Sequence, residues 1–105
     1  MEEIKSKDIS AAEFQQRILE ADAFQIIDVR EQIEFLTFNI GGENIPLGRL
    51  ISTADELKYD KQLEIIVVCQ RGLRSKTAKL ELMKQGYLNV RNLTGGILAI
   101  RKLNN

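Results

Sequence analysis

Residues 65–75 read IIVVCQRGLRS. Four consecutive β-branched residues are typical of a short strand that is buried on both faces of a sheet. After the loop, Ala78, Leu82 and Met83 recur at helical spacing, and they predict an inward helix face between Ser75 and Gln85. The stretch therefore predicts a strand, a tight loop and a helix N-terminus, which is the place in α/β proteins where backbone N–H groups converge on an anion.

Strands and helices alternate over the rest of the chain. Residues 24–29 are rich in β-branched side chains, and residues 89–93 predict a further short strand. Residues 44–47 predict an edge strand, because Pro46 cannot donate a hydrogen bond to a central ladder. The pattern predicts an α/β fold, with a mostly parallel sheet and helices on both faces, in one domain that spans residues 1–105.

Two of the predicted helices are expected to supply apolar side chains to the core. The first begins at Ser10, which forms a capping box with Glu13, and it is expected to close at residues 21–23. The second is a short helix over residues 31–38. The side chains expected to face inward are Phe14, Ile18, Leu19, Ile33 and Leu36, with Phe35 as a further candidate.

Composition restricts the possible chemistry. The chain has 105 residues with one cysteine and no histidine, which excludes an internal disulfide, a Cys-His pair and most zinc sites. We therefore predict neither a metal nor a cofactor. No apolar run approaches the roughly 20 residues of a membrane span, and the first residues are acidic where a signal peptide is basic, so a cytoplasmic protein without a membrane partner is expected.

Charge is distributed unevenly along the chain. Residues 1–68 contain 14 acidic and 7 basic side chains, whereas residues 69–105 contain Glu81 as their only acid and 8 basic side chains. These charges are either solvated helix faces or a field that attracts anionic substrates or an acidic partner. No nucleic-acid partner is predicted.

The loop after the buried strand has the features of an activated thiol. A free thiol has a pKa of about 8.5, so a nucleophilic cysteine needs a local positive potential. The helix N-terminus, the backbone N–H groups of residues 70–75, and the cations Arg71 and Arg74 can supply it, while Gly72 allows the backbone to curl. We expect the pKa of Cys69 to lie below the free value and Arg74→Ala to raise it. The alternative is that Cys69 is a small buried core residue.

Four segments are similar to motifs of the single-domain rhodaneses, the thiosulfate and persulfide sulfurtransferases. Residues 69–75 resemble their CxxGxRS active-site loop, and residues 28–35, 44–47 and 92–96 resemble three further motifs in the same order and spacing. Asn39 and Ile100 depart from the pattern, since many members have histidine and tryptophan there. The resemblance implies a rhodanese-like fold.

The resemblance also implies a mechanism. The Cys69 thiolate would attack the outer sulfur of a small anionic donor such as thiosulfate, and a cellular thiol or a sulfur-carrier protein would then take that sulfur from the Cys69 persulfide. Arg71 and Arg74 would bind the donor's oxygens or tune the thiolate, and Asp28 and Arg30 would support the loop. The persulfide would lie in a cradle formed by Gln70, Arg71, Gly72, Leu73, Arg74 and Ser75.

The alternatives to a sulfurtransferase are a cysteine phosphatase and a docking module or sulfur relay. Cysteine phosphatases use a Cys-x5-Arg loop, which would need arginine at position 75, where this chain has serine. The shorter loop therefore favours a sulfur-sized site over a phosphate-sized one. The other alternative is a non-catalytic docking module, or a sulfur relay, that serves an acidic carrier protein or an adenylyltransferase.

Overall fold

A computed structural model describes residues 7–20 and 23–105. Its sheet has four strands, all paired in parallel, in the order β2-β1-β3-β4. The strands are β1 (Gln25–Asp28), β2 (Glu43–Asn44), β3 (Ile65–Val68) and β4 (Val90–Asn92). The predicted parallel sheet is therefore confirmed, and the IIVV run is one of its two central strands.

Helices precede, connect and follow these strands. They are α1 (Ala11–Glu20), α2 (Gln32–Thr37), α3 (Leu47–Thr53), which a 3-10 turn (Ala54–Glu56) extends, α4 (Arg74–Lys84) and α5 (Gly96–Leu103). The predicted close of the first helix falls at residues 21 and 22, which lie outside the described residues. Among the described residues, no helix is long and apolar enough to cross a lipid bilayer.

The two faces of the sheet are covered by different helices. Ile65 and Val67 of β3 belong to a buried cluster with residues of α3 and α4, such as Leu50 and Leu82. Ile66 and Val68 point the other way, into a second cluster with α1 and α5. This alternation follows from the two-residue period of a strand, and it confirms the prediction of helices on both faces.

The predicted edge strand at residues 44–47 is only partly present. β2 lies at the edge of the sheet, as predicted, but it ends at Asn44 and does not include Pro46. Pro46 instead occupies the N-cap position of α3, and Leu47 begins that helix. This outcome agrees with the general preference of proline for the start of a helix, where its missing N–H costs nothing.

Several side chains expected in the core are exposed. Ile33 and Leu36 are 76% and 70% exposed, because no residue of the six-residue helix α2 is buried. In α1, Ala11 and Phe14 are buried, whereas Ile18 and Leu19 lie in the second half of the helix and are 48% and 79% exposed. Phe35 is half-buried, and Met83 near the end of α4 is also exposed. The prediction that these side chains fill the core is therefore wrong for Ile18, Leu19, Ile33, Leu36 and Met83.

The carboxyl ends of β1 and β3 lie side by side. Asp28 pairs with Val68 in the sheet register, and the N–H of Val29 donates to the Val68 carbonyl at 2.9 Å. The residues that follow these two strands therefore meet at one edge of the sheet, which is the usual place for a ligand site in a parallel α/β fold.

Candidate active site

Cys69 follows β3 directly and is 1% exposed. Despite this burial, it lines an open cavity of about 280 Å³ together with Gln70, Arg71, Leu73 and Arg74. The structure therefore brings the predicted loop residues together around the cysteine. Cys69 therefore forms part of the wall of an open cavity.

Backbone N–H groups point at the sulfur from within the loop. The N–H of Gly72 donates to Cys69 Sγ at 3.1 Å, and the N–H of Ser75 donates to it at 3.3 Å. Gly72 has a φ of +93°, a backbone angle that residues other than glycine rarely adopt. This left-handed residue turns the chain so that both donors converge on one atom.

The loop carbonyls point the opposite way, toward α5. The carbonyls of Cys69 and Gln70 accept hydrogen bonds from the N–H groups of Ile97 and Leu98, at 2.9 and 3.1 Å. These N–H groups lie in the first turn of α5, where a helix has no internal acceptors for them. The loop therefore caps α5, and α5 in return fixes which face of the loop is turned to the sulfur.

The environment changes the pKa of the Cys69 thiol in two opposing ways. Burial raises the pKa, whereas the hydrogen bond between the sulfur and the Ser75 hydroxyl group, and those from the N–H groups of Ser75, Gly72 and Arg71, lower it. The hydrogen bonds prevail, so the pKa lies below the ordinary value. The direction agrees with the sequence-based expectation, and the donors are mainly backbone groups.

Asn92 is a neighbour of the site that the sequence analysis did not single out. Its side-chain Nδ2 donates to the Gly72 carbonyl at 3.1 Å, and its Oδ1 accepts the hydroxyl of Ser75. Both Ser75 and Asn92 are buried. Asn92 belongs to one of the four motifs, but a polar residue at the end of a short strand gave no indication that it contacts the loop.

The two arginines of the loop differ in their surroundings. Arg74 forms a bidentate ion pair with Glu34 of α2, at 2.7 and 3.1 Å. This hydrogen bonding to Arg74 lowers the pKa of Glu34 to about 2, so the carboxylate stays charged at neutral pH. The Arg71 side chain is exposed, and it has no carboxylate partner within residues 7–20 and 23–105. Arg74 is therefore neutralised by its partner, whereas Arg71 is the uncompensated cation.

Asp28 and Arg30 form a buried pair beside the loop. The Asp28 carboxylate accepts the backbone N–H of Arg30 at 3.0 Å and is bridged by its guanidinium at 2.9 to 3.2 Å. The guanidinium also donates to the carbonyl of Phe38 at 2.6 Å. The two side chains are therefore held by each other and by the backbone.

In the described ranges, no group of three or more acidic or cysteine side chains is arranged to hold a metal ion.

Comparison with known proteins gives one consistent result. The rhodanese-like domain family matches residues 10–103. The chain is 34% identical to the thiosulfate sulfurtransferase GlpE of Shewanella oneidensis over 84% of this chain and 86% of the relative. It is 35% identical to a putative sulfur carrier protein of Bacillus subtilis, over 86% of this chain and 48% of the relative. The chain spans about half the length of the first curated relatives it matches.

Solved structures agree with the sequence comparisons. A rhodanese-related protein from Thermoplasma volcanium superposes with a TM-score of 0.75 at 30% identity, over 92% of each chain. The rhodanese-like domain of an Anabaena protein has a TM-score of 0.82 at 23% identity, over 93% of this chain and 75% of the neighbour, and it therefore supports the fold alone. The sheet order, the cysteine loop and these matches lead to one assignment. The chain belongs to the rhodanese-like domain family.

Proposed function

We propose that this protein is a sulfurtransferase that carries a sulfane sulfur on Cys69. The observation that supports it best is the Cys69 sulfur itself, which accepts hydrogen bonds from two backbone N–H groups, in a residue that lines an open cavity. Such a site stabilises a negative charge on sulfur without histidine. The relative named thiosulfate sulfurtransferase supports the same conclusion.

In the first step, the Cys69 thiolate attacks the outer sulfur of thiosulfate or of a persulfide donor. With thiosulfate, a bond forms between Sγ and the outer sulfur. The bond from that sulfur to the sulfonate group breaks, and its electron pair leaves with sulfite. The product is a Cys69 persulfide with the negative charge on its outer sulfur. Arg71 is placed to attract the anionic donor, because its charge is uncompensated by the described residues.

In the second step, a thiolate acceptor attacks the outer sulfur of the persulfide. The bond between that sulfur and Sγ breaks, and the electron pair returns to Cys69 as a thiolate. The loop N–H groups of Gly72 and Ser75 then hold the same charge that they held at the start. We assign the cradle to Gln70, Arg71, Gly72, Leu73, Arg74 and Ser75. Asp28 and Arg30 support it from the neighbouring strand.

Intact-mass measurement tests this proposal directly. The chain has one cysteine, so a gain equal to one sulfur atom locates the modification at Cys69. Wild type is incubated with thiosulfate and, separately, with an inorganic polysulfide, and Cys69→Ser serves as the matched control. We expect the gain in wild type and its absence in the variant. A wild-type protein that gains no sulfur from either donor refutes the proposal.

A second candidate is a docking module for an acidic sulfur-carrier protein. It is favoured by Leu73, which is 74% exposed on the cysteine loop itself and offers an apolar contact to a partner. One relative is named a putative sulfur carrier protein. If Cys69→Ser supported sulfur delivery to such a carrier as well as wild type does, this function would replace the first. A Kd that rises with ionic strength would indicate charge-driven docking.

A further inference from the structure

A second open cavity adjoins the one that contains Cys69. It has a volume of about 290 Å³ and is lined by side chains that include Ile33, Phe38, Gln70 and Arg101. Gln70 lines both cavities, so the two are neighbours that share one lining residue. We call it the Arg101 cavity. A molecule that extends past Gln70 would therefore have one end in each cavity.

One of the cations that line the Arg101 cavity has no carboxylate partner among the described residues. Arg30 is paired with Asp28, and Glu34 is paired with Arg74. Arg101 has no carboxylate partner in the part of the chain that the structure describes. Glu34 does not offset it, because both of its oxygens accept from the Arg74 guanidinium. The positive charge of Arg101 therefore makes this cavity suitable for an anion.

The Arg101 guanidinium is held in position by an aromatic ring. Its central carbon lies 4.6 Å from the centroid of the Phe38 ring, which is a cation–π distance. Phe38 is anchored in turn, because its carbonyl accepts from Arg30 at 2.6 Å, and Arg30 is fixed by Asp28. A guanidinium beside an aromatic ring can still donate from its N–H edge, and two parallel hydrogen bonds are the geometry that carboxylates accept.

We propose that the Arg101 cavity binds the carboxylate of a small aliphatic thiol that accepts the sulfur from Cys69. This inference rests on the proposed function. The thiolate would attack the outer sulfur of the Cys69 persulfide, while its short carbon chain lies against Ile33 and Phe38. The bond from the outer sulfur to Sγ breaks, and the acceptor leaves as a persulfide. The thiol proton is lost to solvent before the attack.

Three thiols with the same two-carbon spacer test the proposal: mercaptopropionate, mercaptoethanol and cysteamine, which are anionic, neutral and cationic. The protein is first loaded completely with sulfur from thiosulfate or polysulfide, and the donor is removed. Each thiol is then added, and the loss of the sulfur mass is followed in a single turnover. Each variant is compared with wild type for the same thiol, so that differences in thiol reactivity cancel.

We expect Arg101→Gln to slow transfer to mercaptopropionate by about five- to tenfold, which is the size of one charge-assisted contact at a partly exposed site. Transfer to mercaptoethanol should change less than about twofold, and transfer to cysteamine should not slow, because the site loses only its positive charge. Arg101→Lys should retain part of the preference, since it keeps the charge and loses the planar fork.

Lys102→Gln is the matched control. It removes the same charge from the neighbouring exposed residue of α5, which does not line the cavity. It should leave all three rates at their wild-type values. If Arg101→Gln slows all three thiols equally, or none of them, the cavity does not recognise the carboxylate. Failure to load the sulfur at all would instead refute the proposed function, and this inference with it.

Discussion

The hydroxyl of Ser75 donates its hydrogen bond to Asn92, while its oxygen lies 3.3 Å from the Cys69 sulfur. A hydroxyl has one proton, so it cannot serve both neighbours at once. The amide of Asn92 is fixed by the Gly72 carbonyl, which accepts from its Nδ2 at 3.1 Å. With Cys69 protonated, the S–H can donate to the Ser75 oxygen. When Cys69 is a thiolate, a hydrogen bond from the Ser75 hydroxyl to the charged sulfur is more favourable than one to the Asn92 amide oxygen.

Ser75→Ala is therefore expected to raise the pKa of the Cys69 thiol. The substitution removes one of the hydrogen bonds that hold the pKa down, and a hydrogen bond to a charged group contributes about 1.5 kcal/mol or more. The rate of alkylation by iodoacetamide against pH measures the shift, because only the thiolate reacts.

Thr77→Ala controls for the loss of a hydroxyl from α4, since Thr77 is exposed in the same helix. Its alkylation profile should match that of wild type. A Ser75→Ala profile that also matches wild type would show that the proton stays on Asn92 when the thiolate forms. The hydrogen bonds from the backbone would then account for the lowered pKa without the hydroxyl.

The central part of the fold was predictable from local sequence. The IIVV run is a buried parallel strand because β-branched residues with apolar neighbours fit a sheet that is covered on both faces. The change to helical spacing after Ser75 located α4 to within one residue at each end. These features depend on residues close in the chain, so the sequence carries the information for them.

The rest depends on contacts between distant residues. Ile33 and Leu36 have helical apolar spacing, but α2 buries none of its residues and both side chains stay exposed. The pairing of Arg74 with Glu34 joins residues 40 positions apart, and that of Ser75 with Asn92 joins residues 17 apart. Spacing along the chain does not indicate such partners, so neither the neutralised arginine nor the contact of Asn92 was predicted.

Glu34→Gln is expected to lower stability at neutral pH. The ion pair with Arg74 lies partly in solvent, so we expect a loss of about 0.5 to 1 kcal/mol in the free energy of unfolding. The pKa of Glu34 falls from 4.5 to about 2 on folding, so its contribution is fully present above pH 4.5 and is lost as the pH falls toward 2. Denaturant unfolding of both proteins at pH 7 and at steps below pH 4.5 measures this difference.

Glu81→Gln is the matched control for this series. Glu81 pairs with Lys84 three residues along α4, and such pairs contribute only a few tenths of a kcal/mol. If the Glu34→Gln difference from wild type were as small as that of Glu81→Gln, the bidentate pair would not stabilise the fold. A difference that persisted undiminished well below the folded-state pKa of about 2 would also contradict the assignment.

Asp28→Asn is expected to destabilise the fold strongly while leaving the cysteine loop reactive in the folded molecules. Asp28 is 0% exposed, and the substitution leaves the buried Arg30 guanidinium without its counter-charge. Breaking a buried pair in this way costs about 3 to 5 kcal/mol. Urea unfolding measures the loss, and alkylation of Cys69 without denaturant reports on the loop.

Asp55→Asn provides the comparison, because Asp55 lies in the exposed 3-10 turn. It should change stability by less than about 0.5 kcal/mol. A loss below about 1 kcal/mol for Asp28→Asn would mean that Arg30 finds solvent or another acceptor. An altered alkylation rate in the folded fraction would give Asp28 a more direct part in the chemistry than the supporting one proposed here.

Gly96→Ala is expected to disrupt the loop through the backbone. A Cβ at this position would lie 2.4 Å from the Gln70 carbonyl oxygen and 2.5 Å from that of Cys69. These are the carbonyls that accept N–H groups from the first turn of α5, so neither can move away without losing its hydrogen bond.

Gly86→Ala isolates the cost of the left-handed backbone, because Gly86 has a φ of +92° and no atom near its added Cβ. We expect about 1 to 2 kcal/mol for Gly86→Ala and at least about 2 kcal/mol more for Gly96→Ala. Only Gly96→Ala should raise the pKa of Cys69 in the alkylation profile, since only there does the displaced loop withdraw its N–H donors from the sulfur. Equal effects of the two substitutions on stability and on pKa would show that α5 does not hold the loop in place.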